Sequence, residues 1–176
     1  VAFVHAETST GVRSDAETLC RLAKSAGMLV IMDAVTSLAG IDLKADAWGA
    51  DVVYSGTQKC LSGLPGISPI TFSDDAVSAI QARTQKVQSW FLDMNLIMGY
   101  WGEGAKRAYH HTAPVNAIYA LHEALLMLEE ESLEASIARH QDNHVTLAAG
   151  LSKLGLDLAV SEPWRLPQLN SALIPQ

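Results

Sequence analysis

The chain has few cysteines, no excess of basic residues and no long apolar run, and each absence excludes a class of protein. Its two cysteines, Cys20 and Cys60, cannot form a disulfide framework and are typical of a reducing compartment. A formal net charge of -7 without any basic cluster argues against a nucleic-acid surface. No apolar run approaches bilayer-spanning length, and no signal peptide is visible. We therefore predict a cytoplasmic protein with no membrane or nucleic-acid partner; a peroxisome or mitochondrion is the alternative in a eukaryote.

Several catalytic and metal-binding motifs are also missing. The chain has no Walker loop, no G-x-G-x-x-G pattern and no G-x-S-x-G elbow, so nucleotide binding and serine hydrolysis gain no support. Histidines occur together at His110-His111 and four residues apart at His140 and His144. The second pair has no further ligand beside it and lacks the glutamate of metalloproteases. We interpret that pair as a solvated helix face and predict no metal site.

The composition indicates a globular chain. Of its 176 residues, 49% are hydrophobic and 18% are charged, which is enough for one ordinary domain with a sizeable core. The chain opens inside an apolar run without a methionine, and it ends just after another apolar run. We expect it to be an internal portion of a longer protein.

Apolar runs alternate with helical patterns in the first third of the chain. The predicted strands are residues 1–4, 28–32 and 51–54. The first helix begins at a capping box formed by Ser14 and Glu17 and stops at Gly27, and a short helix follows near residues 42–49. This alternation predicts a parallel sheet with right-handed crossovers.

The rest of the chain is mostly helical in pattern. A fourth strand is predicted at residues 66–72, although Pro69 weakens it, because proline cannot donate to a sheet ladder. Residues 90–101 are strongly apolar without a clean period, which is typical of a subunit interface. Further helices are predicted at residues 74–83, 114–130 and 132–154, and further strands at 156–160 and 169–174. We predict a larger domain over residues 1–130 and the incomplete start of a smaller one over 131–176.

Polar residues follow each of the first three strands. Thr8, Asp33 and Lys59 come after the first, second and third strand, respectively. Ligands bind beyond the carboxyl ends of the strands in open parallel sheets. The three side chains are therefore predicted to line one crevice.

Lys59 is the candidate nucleophile of that crevice. An isolated lysine is usually a solvated surface charge, but Lys59 lies between glycine-bearing turns just past a strand. Desolvation lowers the proton affinity of such an amine, which can then form a Schiff base with an aldehyde. Cys60 beside it is interpreted as a small buried side chain.

The other polar residues have two interpretations each. Asp33 either caps a turn or places a carboxylate against a cationic ring nitrogen. Thr8 either satisfies backbone groups in a turn or donates to a ligand oxygen. Gln58 and Ser55 are uncharged donors suited to phosphate.

Five stretches, in this order, resemble class V aminotransferases of the alanine–glyoxylate and serine–glyoxylate (serine–pyruvate) type. They span nearly the whole chain, so together they are more specific than any one of them. The stretches are HAETSTG (5–11), DAVTSL (33–38), YSGTQKC (54–60), QSWFLD (88–93) and YHHTAPV (109–115). The resemblance implies an α/β fold type I enzyme that depends on pyridoxal 5'-phosphate (PLP), with a mainly parallel sheet, flanking helices and a smaller C-terminal α/β domain.

The resemblance also implies a role for each matching residue. Lys59 would hold the cofactor as an internal aldimine and then move a proton between the substrate's α-carbon and the cofactor's C4′. Asp33 would pair with the pyridinium nitrogen, Thr8 would contact the cofactor near its ring, and Gln58 would donate to the phosphate.

Two further residues imply a homodimer with a shared active site. Tyr109 and Thr112 match residues that reach the phosphate of the neighbouring subunit. The phosphate-cradling glycine loop, the aromatic residue stacked on the ring and the arginine that grips the substrate carboxylate are expected outside this chain. The 176-residue piece alone is therefore predicted to be inactive.

The implied reaction moves an amino group from alanine or serine to glyoxylate or another 2-oxo acid. One alternative is another class V reaction such as cysteine desulfuration, for which Cys60 is poorly placed. The other is a non-catalytic α/β dimerisation module.

Overall fold

The computed structural model describes residues 1–101 and 108–175. The strands are β1 (Ala2–Val4), β2 (Ala6–Glu7), β3 (Val12–Arg13), β4 (Ile31–Asp33), β5 (Val52–Tyr54) and β6 (Ile70–Phe72). The helices are α1 (Ala16–Ser25), α2 (Ala45–Trp48), α3 (Asp74–Gln81), α4 (Met94–Trp101), α5 (Val115–Glu131) and α6 (Leu133–Lys153). A short 3-10 helix at Glu162–Trp164 follows α6.

The main sheet has the order β1-β4-β5-β6. The first three strands are parallel, with Val4, Asp33 and Tyr54 side by side at their carboxyl ends, and β6 pairs with β5 antiparallel. The predicted βαβ alternation and mainly parallel sheet are therefore confirmed. The sheet places the loops that follow β1, β4 and β5 at one edge.

Helix α1 begins one residue later than its sequence pattern suggests. The Oδ1 atom of Asp15 accepts the backbone N–H of Thr18 at 3.1 Å, so Asp15 is the N-cap and the prediction of Ser14 is wrong. The Ser14 hydroxyl instead donates to the carbonyl of Val4 at 2.7 Å and joins the start of α1 to the end of β1. The predicted stop at Gly27 fits its φ of +70°, which favours glycine.

Two predicted strand regions are shorter in the structure. Met28 lies beyond α1 but takes part in its C-terminal cap, because its N–H donates to the carbonyl of Ala23 at 3.0 Å, and β4 begins only at Ile31. Pro69 lies just before β6, where its carbonyl accepts the N–H of Ser55 at 2.9 Å. Proline thus supplies an acceptor there without having to donate within the strand.

The second half contains one unexpected helix and lacks two expected strands. Helix α4 occupies part of the apolar segment in which we predicted no regular period. The predicted strands at 156–160 and 169–174 are wrong in extent, because a single antiparallel bridge joins Leu158 to Ala172. Hydrogen bonds from Ala159 N–H to Ser171 and from Leu173 N–H to Asp157, both 2.8 Å, flank that bridge. Helices α5 and α6 match their predicted ranges within one residue at each end.

The apolar core lies beside the central strands. Met32 and Val30 are fully buried, and Met32 clusters with Ala34 and Val53. A separate cluster brings the fully buried Leu166 against two residues of the first third. The C-terminal segment thus packs directly on the sheet-bearing part of the chain.

A buried carboxylate joins α1, β4, β5 and β6. Asp51 is 2% exposed and accepts hydrogen bonds from Lys24 Nζ at 2.9 and 3.1 Å, the Val30 N–H at 2.7 Å and the Ser73 hydroxyl at 2.9 Å. Burial alone would raise the pKa of Asp51, but these three donors together hold it below its ordinary value. The carboxylate is therefore ionised in the folded protein at neutral pH.

No helix within the described residues combines the length and apolarity needed to cross a bilayer.

Candidate active site

The parallel strands bring three predicted site residues to one edge of the sheet. Thr8 follows the β1–β2 segment, Asp33 ends β4, and Lys59 lies five residues beyond β5. Hydrogen bonds tie the loops together, because the His5 N–H donates to the backbone carbonyl of Asp33 at 2.9 Å and the Ser55 hydroxyl donates to that of Ala34 at 3.0 Å. The loops at this edge of the sheet are therefore held in a fixed arrangement.

Asp33 is held in a fixed orientation. Its Oδ2 atom accepts the Tyr54 hydroxyl at 2.8 Å, and its Oδ1 atom accepts the Val35 N–H at 2.9 Å. The hydrogen bond to Asp33, aided by burial, raises the pKa of Tyr54, so that phenol stays a donor. Asp33 thus fits both of its interpretations, since its carboxylate supports a turn and remains half-buried beside the strand ends.

The loop that carries Lys59 is closed on itself. The carbonyl of Thr57 accepts the Gly63 N–H at 2.7 Å, and the Thr57 hydroxyl donates to the carbonyl of Leu64. The carbonyl of Lys59 accepts the Ser62 N–H at 2.9 Å. Because Thr57 is 1% exposed, this turn holds the backbone of Lys59 against the core.

A glycine next to the lysine loop makes room for Gln58. A Cβ atom on Gly56 would lie 2.8 Å from the Gln58 Oε1 atom, so the Gln58 side chain folds back over Gly56. A larger residue at position 56 would make this exposed side chain move aside.

The Lys59 side chain is exposed in this chain, as is that of Gln58. Both line a cavity of about 380 Å³ whose other walls include Arg139, His140 and Gln168. Asp33 instead lines a smaller cavity of about 170 Å³. The single crevice that we predicted is thus divided, and the chain by itself does not supply the desolvation that we expected around Lys59.

Thr36 connects the strand-end loops, and sequence reasoning missed it. Its hydroxyl donates to the carbonyl of Ala6 at 2.8 Å, so the Thr8 hydroxyl must be the donor in the 3.1 Å contact between the two threonines. Its carbonyl lies 4.0 Å from Cys60 Sγ. The only signal in the sequence was a hydroxyl residue three positions after Asp33.

Cys60 is half-buried, and its pKa is raised by burial against the opposing effect of Lys59 and Arg139. A raised pKa keeps the thiol protonated, which makes it a poor nucleophile. The structure therefore gives no support to a desulfurase-like role for this thiol.

Tyr109 and Thr112 lie apart from the lysine loop. Their hydroxyls are hydrogen-bonded to each other, and both residues are exposed. No described hydrogen bond joins them to the strand-end loops within the chain. Between them His110 is buried and stacks on Trp90, with ring centroids 4.0 Å apart.

The interpretation of His140 and His144 as a solvated helix face is wrong. His144 is buried, with its Nδ1 atom against the Asn170 Oδ1 atom, and His140 is half-buried. Burial, and then the charge of Arg139, lowers the pKa of His140. No metal-binding group of three or more acidic, histidine or cysteine residues occurs in the described part of the chain.

Comparison with known proteins decides the family. A sequence profile described as aminotransferase class-V matches residues 1–165. The chain belongs to the class-V aminotransferase family. The recognition of this family from the five sequence stretches is confirmed.

Two relatives of this class-V aminotransferase chain both carry glyoxylate in their names. The alanine–glyoxylate aminotransferase of Oryctolagus cuniculus is 42% identical over 175 residues, which are 98% of this chain and 45% of that protein. The (S)-ureidoglycine–glyoxylate transaminase of Bacillus subtilis is 32% identical over 193 aligned positions, covering 99% of this chain and 46% of that protein. The chain thus spans about half the length of the curated relatives it matches.

A solved structure supports the fold of the class-V aminotransferase chain. The crystal structure of an alanine–glyoxylate aminotransferase from Nostoc sp. superposes with a TM-score of 0.94 at 47% identity, over 99% of this chain and 46% of that one. The predicted fold type I architecture is therefore confirmed.

Proposed function

We propose that the full-length protein is a PLP-dependent transaminase that moves an amino group from alanine or serine to glyoxylate or another 2-oxo acid. The observation that carries this proposal is the likeness to glyoxylate aminotransferases across nearly the whole chain. Because the names of these relatives share glyoxylate and differ in the amino donor, glyoxylate is the better-supported substrate.

The residues at the sheet edge fit PLP. Asp33 offers a fixed carboxylate for a pyridinium nitrogen, and Gln58 offers an exposed donor for the phosphate. The Thr8 hydroxyl donates to Thr36, so its exposed oxygen can accept the ring hydroxyl. Lys59 offers a primary amine for the aldehyde, on a backbone turn held by Thr57. When bound, PLP supplies the electron sink and carries the amino group between the two substrates.

The roles of the side chains follow from their chemistry. Lys59 Nζ would hold the cofactor through its aldehyde, and as a free amine it would carry the proton that leaves the substrate α-carbon. The Asp33 carboxylate keeps the ring nitrogen protonated, and the Tyr54 hydroxyl and Val35 N–H keep that carboxylate in place. Parts of the full-length protein beyond this chain are needed to exclude water from Lys59, which is exposed here.

The proposal is tested by adding PLP to the purified full-length protein. We expect a visible absorbance band at one equivalent per subunit, removed by borohydride reduction with Lys59 labelled in the peptide map. Alanine and serine are then compared as donors to glyoxylate, with pyruvate or hydroxypyruvate formation measured. Protein that takes up no PLP would rule the proposal out, and labelling of another lysine would contradict the assignment of Lys59.

We propose further that the full-length protein is a homodimer with shared active sites. The segment before Tyr109 exposes large aromatic and aliphatic groups, with Trp90 57%, Leu92 66% and Trp101 64% exposed. Exposed apolar surface of this kind is typical of protein interfaces. Tyr109 and Thr112 lie beside this surface. Their position supports the proposal that their side chains contact the phosphate site of the partner subunit.

Subunit complementation tests the shared site. One subunit carries Lys59→Ala and the other carries Tyr109→Phe with Thr112→Val, and each homodimer alone is expected to be weakly active. If Tyr109 and Thr112 act on the partner, each mixed dimer contains one intact site, so a random mixture recovers up to about a quarter of wild-type activity. If they act within their own subunit, mixing recovers nothing.

Two further predictions stay proposals. The boundary between a larger domain over residues 1–130 and a smaller one from 131 falls beside Ser132, the single residue between α5 and α6. Limited proteolysis of the full-length protein shows whether cleavage concentrates there.

The cytoplasmic location rests on the sequence alone.

A further inference from the structure

The C-terminal segment returns to the loops of the candidate active site. Leu166 is fully buried against Ala6 and Ile41, and Leu169 packs on the same cluster. Ala6 lies two residues before Thr8, and Ile41 follows the Asp33 loop. A segment more than 100 positions away in the sequence is thus anchored against the strand-end loops by its apolar side chains.

Gln168 lies within this segment and donates to Thr36. Its Nε2 atom is 2.8 Å from the Thr36 carbonyl oxygen, at the residue whose hydroxyl receives the Thr8 hydroxyl. Gln168 also lines the same cavity as Gln58 and Lys59. One side chain from the C-terminal segment therefore contacts the residue that links Thr8 to the Asp33 loop.

The carbon atoms of Gln168 are closely packed. A Cβ atom on Gly40 would lie 3.0 Å from both Cγ and Cδ of Gln168 and 2.7 Å from Cys60 Sγ. The glycine thus allows Gln168 and the residue after Lys59 to approach the same backbone. The Gly40 backbone therefore restricts the Gln168 side chain on one side, while its other side faces the cavity.

The Oε1 atom of Gln168 is buried and lacks a hydrogen-bond partner within the described residues. An unpaired buried acceptor destabilises a fold, so an apolar side chain of equal length would suit packing better. Stability therefore does not explain the amide group, whereas its N–H donor has a clear contact at the Thr36 carbonyl.

We propose that Gln168 is a positioning residue for the cofactor site. By holding the Thr36 carbonyl, it fixes the Thr36 hydroxyl, and through it the Thr8 hydroxyl, relative to the lysine loop. The C-terminal segment thereby contributes to the order of the cofactor-binding loops. This inference rests on the proposed PLP-dependent function.

The test measures PLP affinity in the full-length protein. Gln168→Met keeps the length and volume of the side chain but removes the donor, and we expect it to weaken PLP binding about fivefold to tenfold. Gln141→Met, at an exposed position of α6, is the matched control and is expected to bind PLP as the wild type does. Thermal unfolding of the PLP-free proteins reports separately on stability.

A double-mutant cycle with Thr8→Ala tests the route through Thr36. Gln168 and Thr8 both contact Thr36, so their effects on PLP affinity are expected to be coupled. The loss of affinity in the double variant should therefore be smaller than the product of the two single losses. Fully multiplicative losses would overturn the route and with it the positioning role.

The remaining outcomes separate this inference from the proposed function. If the wild type binds PLP and Gln168→Met binds it equally well while unfolding at a lower temperature, Gln168 is only structural and the inference fails alone. If the wild type takes up no PLP, both fail. Should Gln168→Met not fold, Gln168→Glu replaces the donor by an acceptor at constant shape, and PLP affinity equal to that of the wild type would again overturn the inference.

Discussion

Replacing Lys59 by alanine in the full-length protein is expected to lower the rate of amino transfer by about 10²- to 10⁴-fold, the usual contribution of a positioned acid–base group. The visible band of bound PLP should shift, because no amine remains at that position to bond the aldehyde. The turn around Thr57 uses the backbone of Lys59, so the variant should fold normally. Steady-state rates and absorbance spectra check both expectations.

Lys86→Ala is the matched control for this experiment, since Lys86 is an exposed lysine in the segment after α3. It should leave the rate and the spectrum unchanged. Added methylamine should restore part of the rate of the Lys59 variant, because a small amine can replace the missing proton carrier. A Lys59→Ala protein with wild-type activity would show that Lys59 is an ordinary surface lysine.

Replacing Asp51 by alanine should destabilise the fold by about 3 kcal/mol, because each buried donor left without its acceptor costs about 1–3 kcal/mol. The change leaves the Val30 N–H and the Ser73 hydroxyl without their acceptor, and it leaves Lys24 without its closest carboxylate. Urea unfolding of the full-length protein measures this loss. Asp75→Ala is the control, because Asp75 contacts the same Lys24 from an exposed position and should change stability little.

The same substitution should alter the dependence of stability on pH. The pKa of Asp51 is lowered in the folded state, so its contribution is present above the ordinary value of 3.8 and is lost as the pH falls through the lowered folded value. The wild type therefore loses more stability than Asp51→Ala when both are acidified below that value. Equal acid sensitivity in the two proteins would contradict a stabilising role for the ionised carboxylate.

Those features of the fold that depend on local patterns could be predicted from the sequence. The apolar runs that became β4 and β5 predicted a parallel sheet, because continuous apolar runs that alternate with helical patterns are typical of parallel strands. Helix α4 could not be found, because its segment is apolar on all sides and shows no helical period. The buried role of His144 depends on Asn170, which lies 26 residues away and shares no local pattern with it.

The residues of the candidate site could likewise be predicted only where a local sequence pattern marks them. Thr8, Asp33 and Lys59 were found because each follows an apolar run, and parallel strands bring such positions to one edge. Thr36 and Gln168 were missed, since their contact spans 132 positions in the sequence. The exposure of Lys59 was also not foreseen, because burial depends on which parts of the protein surround the loop.

The register of β4 means that the position of Asp33 depends on the evolution of the residue beside it. Side chains alternate between the two faces along a strand, so neighbouring Met32 and Asp33 point to opposite faces. Met32 is fully buried in the core, and a slip of one residue would exchange the two faces. The burial of Met32 in the core therefore determines the face on which the Asp33 carboxylate lies. Substitutions at Met32 are expected to misdirect Asp33 even when the aspartate itself is kept.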